Sequence, residues 1–312
     1  MFSGRCFRIL AVVFSFVVTV RPASVANNRP VVGIVAEDYY GRIPGKSTYI
    51  AASYVKWAEA AGARVLPIFI NQTEEYYDRV LGLVNGVIFP GGAVHIDKDT
   101  GYGNSGRLIY KKIHQRNLDG YLPLWGTCLG MELVIYAHLN RNDPRTRCAM
   151  QDKALSLQLG ETHGRLLGSA PENIIQKLTT EPVNIHYHSW CLTSKNFRAF
   201  NLDSDFSALA FNNDSEGRKF VSVLEHKYMP IYLTQFHPEK PQFEWVDNLK
   251  HHNIPHSSSA IAVGQFFANF FIDECRKNKA QFPAENNGEL IYAYPVSNTG
   301  AISIYEQSYL FD

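Results

Sequence analysis

The chain has almost no net charge to spend on a polyanion: 30 Lys and Arg against 29 Asp and Glu leave a formal +1 over 312 residues. Without a basic stripe or a polybasic run there is no electrostatic footprint for nucleic acid or for an anionic membrane surface. Long apolar runs are also lacking. The longest, Ile9 to Val20, is too short to span a bilayer, so no membrane anchor is expected. No internal repeat, low-complexity linker, dinucleotide fingerprint or phosphate loop is present, which excludes solenoids and the nucleotide chemistry those motifs carry. Cysteines number only five. The 46% apolar and 19% charged content is that of a globular protein with a large core.

Arg5 and Arg8, the apolar run and the small residues Ser24-Val25-Ala26 read together as a secretory signal peptide over residues 1–26. The remainder, 27–312, is expected to be one domain, soluble and either lumenal or secreted. Asn71-Gln72-Thr73 and Asn213-Asp214-Ser215 are N-glycosylation sequons that fit this route. Four cysteines then remain, Cys128, Cys148, Cys191 and Cys275. If one is a nucleophile, at most one disulfide forms among the other three, with the pairing open.

Strands and helices alternate through the first half. Val31 to Val35, Arg64 to Ile70, Gly86 to Pro90 and Leu122 to Trp125 read as buried strands. Helices are expected over 48–61, 74–83, 108–117 and 129–138, with Ser47 or Thr48 capping the first and Gly62 stopping it. Such alternation predicts a mostly parallel sheet flanked by helices. The stretch from Asp97 to Gly106 reads as a polar loop, lacking the terminal glutamate of a calcium loop. From Leu155 to Met229 short alternating runs, at 155–159, 183–190, 209–212 and 220–226, predict appended antiparallel strands, with a helix over 172–178. Ile231 to Phe236 is a further strand, Ser259 to Cys275 a long core helix, and Leu290 to Phe311 a closing hairpin.

The chemistry centres on Gly126-Thr127-Cys128-Leu129-Gly130, where a strand turns into a helix. Gly-x-Cys-x-Gly is the thiol form of the nucleophile elbow, with small residues that let strand and helix pack closely around an exposed reactive atom. A buried structural cysteine is the alternative, and the flanking glycines weigh against it. The helix N-terminus beside the sulfur is expected to favour thiolate and to receive an oxyanion. His237-Pro238-Glu239 follows a strand, and a period of two would put His237 and Glu239 on one side, so that the carboxylate orients the imidazole. Pro90-Gly91-Gly92 ends another strand, and its paired glycines allow a backbone N–H to point into the crevice as half of an oxyanion hole, but on this motif alone an ordinary turn is the expectation. His186 and His188 share a strand face, but with no third ligand at suitable spacing a metal site is not expected. His251, His252 and His256 read as a solvated loop.

These three motifs, in this order, resemble the class I glutamine amidotransferase-like superfamily, whose glutaminase site uses a Cys-His-Glu triad. Tyr49-Ile50-Ala51-Ala52-Ser53-Tyr54-Val55-Lys56, Ala61-Gly62-Ala63-Arg64-Val65 and His237-Pro238-Glu239-Lys240 leading to Phe243-Glu244-Trp245 narrow the resemblance to its γ-glutamyl hydrolase family. The likeness runs through essentially all of the chain after residue 26. It implies Cys128 as nucleophile, His237 as general base and then acid, Glu239 as orienter, and the N–H groups of Gly92 and Leu129 as oxyanion hole. Glu132 and His188 are implied as substrate-side residues, folylpoly-γ-glutamate as substrate, lysosome or secretion as destination, and a homodimer as assembly. No cofactor is required. Because each γ-linked glutamate keeps an α-carboxylate, cations should matter near the crevice, with Arg42, Lys46, Lys98 and Arg107 as candidates by loop position. Two other readings fit the same fold, a glutaminase subunit feeding a synthetase and a secreted binding protein that has lost catalysis.

Overall fold

The computed structural model describes residues 1, 27–41, 43–248 and 251–312. The expected leader, apart from Met1, and Arg42 lie outside them.

An eight-stranded sheet runs in the order Arg64–Ile68, Val31–Val35, Gly86–Phe89, Leu124–Thr127, Ile231–Thr234, Lys219–His226, Phe206–Asn213, Gln158–Leu159. The first five strands pair in parallel and the last three are added antiparallel, which is the mixed architecture expected from the sequence. The parallel strands are buried on both faces, consistent with their continuous β-branched and aromatic runs. On one face the helix Ser258–Cys275 lays Phe267 and Phe271 against Trp125 and Trp57, with Trp57 and Trp125 ring centroids 5.3 Å apart. On the other, Leu129–His138 and Gly101–Asp119 pack Leu133, Val134 and Ile109 over Phe89 and Leu124. Burial of this kind is worth roughly 1.5–3 kcal/mol per large apolar side chain.

Three expectations need correction. Thr48–Ala51 is a strand, not the start of a helix: it pairs with Gln307–Phe311 near the C-terminus, and the helix runs Ala52–Ala60 with Ala51 before it. The tertiary pairing overrides the capping signal of Ser47 and Thr48. The helix expected from Leu108 begins seven residues earlier, at Gly101, because the side chains of Asn71 and Asp38 accept the N–H groups of Gly101 and Tyr102 at 2.6 and 2.9 Å. Thr146–Leu155 forms a ten-residue strand against Asn184–Cys191 that the sequence reading did not foresee before Leu155. Cys148 and Cys191 are joined by a disulfide across this ribbon, while Cys128 and Cys275 are free and buried. The closing hairpin forms between Val296–Asn298 and Gln307–Phe311.

Strands Val31–Val35 and Gly86–Phe89 are neighbours whose chains next go to opposite sides of the sheet, so the crevice beyond their carboxyl ends is the topological switch point. Glu37 follows the first of these strands and Pro90-Gly91-Gly92 follows the second.

Candidate active site

The elbow is built by close approach. Leu124–Thr127 delivers Cys128 with φ 51° and ψ −108°, a strained left-handed conformation, directly before the helix Leu129–His138. Cys128 N–H donates to Thr234 O at 2.7 Å, which ties the turn to the strand leading to the histidine. A β-carbon on Gly130 would collide with the backbone oxygen of Phe89, so the helix can start this close to the sheet only with glycine there.

The three residues expected to act together do meet. His237 Nδ1 lies 2.8 Å from Glu239 Oε1, and Cys128, His237 and Glu239 are 3%, 3% and 0% exposed. His237 Nε2 is buried and has no partner among the described residues, as an atom reserved for a proton in transit would be. His237 and Glu239 do not, however, share a strand as a period of two would require. The strand stops at Thr234, and Glu239 sits in helical backbone just before the short helix Lys240–Phe243. His237 N–H instead donates to Ile185 O at 3.0 Å, so it is the neighbouring ribbon that fixes the histidine before the chain turns.

Gly91 marks the point where Cys128 and His237 converge. A β-carbon there would stand 2.9 Å from Cys128 Cβ, 2.8 Å from His237 Cε1 and 3.0 Å from Tyr54 Oη. The loop Pro90-Gly91-Gly92 is held by three tyrosines without a site role in the sequence reading, one expected on a helix, one in a polar loop and one in the closing hairpin. Gly91 N–H donates to Tyr54 Oη at 2.8 Å, Tyr102 Oη donates to Pro90 O at 2.8 Å, and Tyr305 Oη donates to Gly91 O at 3.2 Å. Tyr54 Oη also lies 3.4 Å from His237 Nδ1. Leu129 N–H is within reach of the Cys128 sulfur, and Gly92 lies against the carboxylate of Glu37.

The electrostatics reverse one expectation. Burial pushes the Cys128 thiol well up, the Glu132 carboxylate adds to that, and the Leu129 N–H opposes it only in part. The helix N-terminus does favour thiolate, but in a site this dry desolvation outweighs it, so the resting sulfur is a neutral thiol. Burial likewise lowers the pKa of His237 even though the Glu239 carboxylate raises it, leaving a neutral imidazole able to accept the proton. For Glu239 burial raises the pKa, but the facing imidazole and its hydrogen bond outweigh it and keep the carboxyl ionised below the usual range.

Glu132 is buried on the elbow helix, ion-paired with Arg145 Nη1 at 2.9 Å and receiving Gln235 Nε2 at 3.2 Å. His188 and His186 do share a face. They hydrogen-bond each other at 3.1 Å and pack against Phe220, and burial lowers the pKa of His188 to about 3. Among the described residues no group of three metal-ligating side chains stands together. His256 stacks on Trp245 at 3.8 Å and His251 packs tilted against Tyr187 at 4.6 Å, so two histidines of the supposed solvated loop are packed. The candidate cations do not gather at the centre. Lys46 pairs with Asp312, Arg107 is spent on the backbone of Ile96 and Lys98, and Lys98 is exposed. Two surface clefts, one lined by Lys56, Gln242, Trp245 and Glu306 and the other by Arg107, Tyr110, His138 and Arg141, hold no triad residue.

Comparison with known proteins accords with this constellation. The profile of the family described as Peptidase C26 matches residues 30–239. The gamma-glutamyl hydrolase of Homo sapiens is 35% identical over 305 residues, covering 94% of this chain and 92% of that protein. Gamma-glutamyl hydrolase 1 of Arabidopsis thaliana is 37% identical over 297 residues (91% and 83% covered), and gamma-glutamyl hydrolase B of Dictyostelium discoideum is 34% identical over 294 (92% and 84%).

Proposed function

We propose, because the chain belongs to the Peptidase C26 family, that it hydrolyses the γ-glutamyl amide bonds of folylpoly-γ-glutamates and related antifolate chains through a thioester on Cys128. The observation that carries this reading is the convergence at Gly91 of a buried thiol and a neutral imidazole whose far nitrogen is held by Glu239.

The chemistry follows from the protonation states. His237 Nε2 accepts the Cys128 proton as the sulfur attacks the γ-carbonyl carbon, so charge separates only when the acceptor is in place. Glu239 then faces an imidazolium, which its ionised carboxylate stabilises. The carbonyl oxygen, now negative, is received by the N–H groups of Leu129 and Gly92, each donor being worth on the order of a hundredfold or more in rate. His237 returns the proton to the departing amine and next takes one from water, whose oxygen attacks the thioester carbonyl; the C–S bond breaks, the acyl group leaves as its acid and the proton passes from His237 back to the Cys128 sulfur. Glu132 and His188 stay candidates for the substrate side. Acid quenching during turnover followed by intact-mass measurement tests the covalent step. A γ-glutamyl adduct on Cys128 supports it, and an unmodified enzyme that still turns over contradicts it.

A secretory route to lysosome or medium is part of the reading. It is supported by the leader-like sequence, by exposed sequons at Asn71 and Asn213 and by the Cys148–Cys191 disulfide, which persists in oxidising compartments. Among the described residues no helix is long and apolar enough to cross a membrane. The homodimer rests on the family resemblance, and light scattering of the purified protein tests it.

A further inference from the structure

We propose that the ammonium group of Lys240 reads the substrate's negative charge, by receiving the α-carboxylate of the glutamyl residue whose γ-carbonyl faces Cys128. This rests on the hydrolase reading above and names the group that would select a γ-glutamyl chain.

Lys240 follows Glu239 directly and is 1% exposed, the only lysine among the largest fully buried side chains of the described residues. No carboxylate oxygen and no hydrogen-bond acceptor among the described residues is in contact with its nitrogen. Nζ instead faces two aromatic rings, 4.5 Å from the centroid of Tyr305 and 5.5 Å from that of Tyr187. Ring faces offset only part of the cost of removing an ammonium from water, and the nearby carboxylates of Glu239 and Glu244 offset more of it without making a hydrogen bond to Nζ, whose donors stay available to an anion.

The two rings that frame this cation also frame the reacting centre. Tyr305 Oη holds Gly91 O at 3.2 Å, Tyr187 O lies 3.9 Å from Cys128 Sγ, and the Tyr187 ring lies 6.1 Å from that of His237. The charge of Lys240 is felt at both Cys128 and His237, where it lowers each pKa. The charge of Lys240 is also felt at Glu244 and Glu239, where it lowers each pKa, but neither forms an ion pair with it and each holds another group. Glu239 holds His237, and Glu244 accepts the N–H of Glu306 at 2.8 Å. A cation beside the nucleophile with no ion-pair partner suits a γ-linked substrate, because the α-carboxylate of such a residue is carried only a few bonds from the scissile carbonyl. An α-linked peptide of uncharged residues carries no carboxylate at that distance.

Two substrates separate this role from a structural one. One is a short γ-glutamyl peptide with a free α-carboxylate on the acyl residue, and the other is the same peptide with that carboxylate converted to a carboxamide. Wild-type enzyme should prefer the acid by about a hundredfold in kcat/KM, as expected for a hydrogen bond to a charged group. Lys240→Met should lose most of that preference, its kcat/KM falling far more for the acid than for the carboxamide, whose loss reflects only the shifted pKa values of Cys128 and His237; Lys240→Arg should keep part of the preference. Equal kcat/KM of the wild type for both substrates overturns the inference without recourse to any variant. So does an equal loss on both substrates in Lys240→Met. If the wild type cleaves neither, the hydrolase reading falls and this inference with it.

Discussion

His237 Nδ1 and Glu239 Oε1 stand 2.8 Å apart across a tight turn in which neither residue belongs to a strand. The carboxylate therefore keeps the proton on Nδ1 and leaves Nε2 free to accept one from the thiol. Tyr54 Oη, 3.4 Å from the same nitrogen, is a weaker second hold on the ring.

Glu239→Gln should consequently reduce turnover strongly without ending it. A loss of about a thousandfold to ten-thousandfold in kcat is expected, with measurable activity remaining because Tyr54 and burial still restrain the ring. Steady-state kinetics alongside Cys128→Ala provide the check. Losses of equal size in the two variants would mean that Glu239 does more than orient.

The pH profile should show its acid limb below the usual histidine range. Burial lowers the pKa of His237, and the imidazole is a base only above that pKa, so kcat/KM should fall as the medium is acidified through it and stay high at mildly acidic pH. The thiol has been pushed the other way. Alkylation of Cys128 by iodoacetamide should accordingly rise with pH throughout the range from 5 to 8, with no acidic plateau. A rate already constant at pH 5 would reveal a preformed thiolate.

Glu37 predicts how stability depends on pH. Burial, which outweighs the hydrogen bond from Tyr49, raises its pKa from 4.5 to about 7. The folded protein thus keeps a proton that the unfolded chain has lost between these values. The associated stability is complete below pH 4.5 and is lost as pH rises towards 7, by an amount on the order of 3 kcal/mol. Glu37→Gln should remove this dependence, raising Tm at pH 7.5 while leaving it little changed at pH 4.5. A uniform shift at both pH values would assign the effect to packing.

Gly91→Ala should disable the site while sparing the fold. The added carbon would press on Cys128 Cβ at 2.9 Å and His237 Cε1 at 2.8 Å, and displacement of a reacting group by about 1 Å costs on the order of a hundredfold. A still cooperative unfolding transition with a lowered Tm, and kcat/KM lowered at least that much, is expected. Full activity would show that the triad tolerates a wider gap.

Much of this was legible in the sequence, and the exceptions share a cause. The parallel strands were readable because both of their faces are buried, which leaves continuous apolar runs such as Val31–Val35. The elbow was readable because only small residues fit between its helix and sheet. Thr48–Ala51 was misread because its partner strand lies near the other end of the chain. Gly101-Tyr102-Gly103 looked like loop because the groups that cap the helix there, Asn71 and Asp38, come from distant turns. The meeting of His237 with Glu239 was foreseen for the wrong geometric reason. Nothing in the sequence around Lys240 signals a role, because its burial between the Tyr187 and Tyr305 rings is set by residues far along the chain.

The most direct measurement is to incubate the purified protein with folate or methotrexate pentaglutamate at mildly acidic pH, beside Cys128→Ala, and to follow chain length by mass spectrometry. Shortening by the wild type, reduced in the variant by on the order of a millionfold, is the predicted result. Binding of the chain by both proteins with shortening by neither would contradict the account and leave a binding protein. Ammonia released from free glutamine with the pentaglutamate intact would contradict it in favour of a glutaminase.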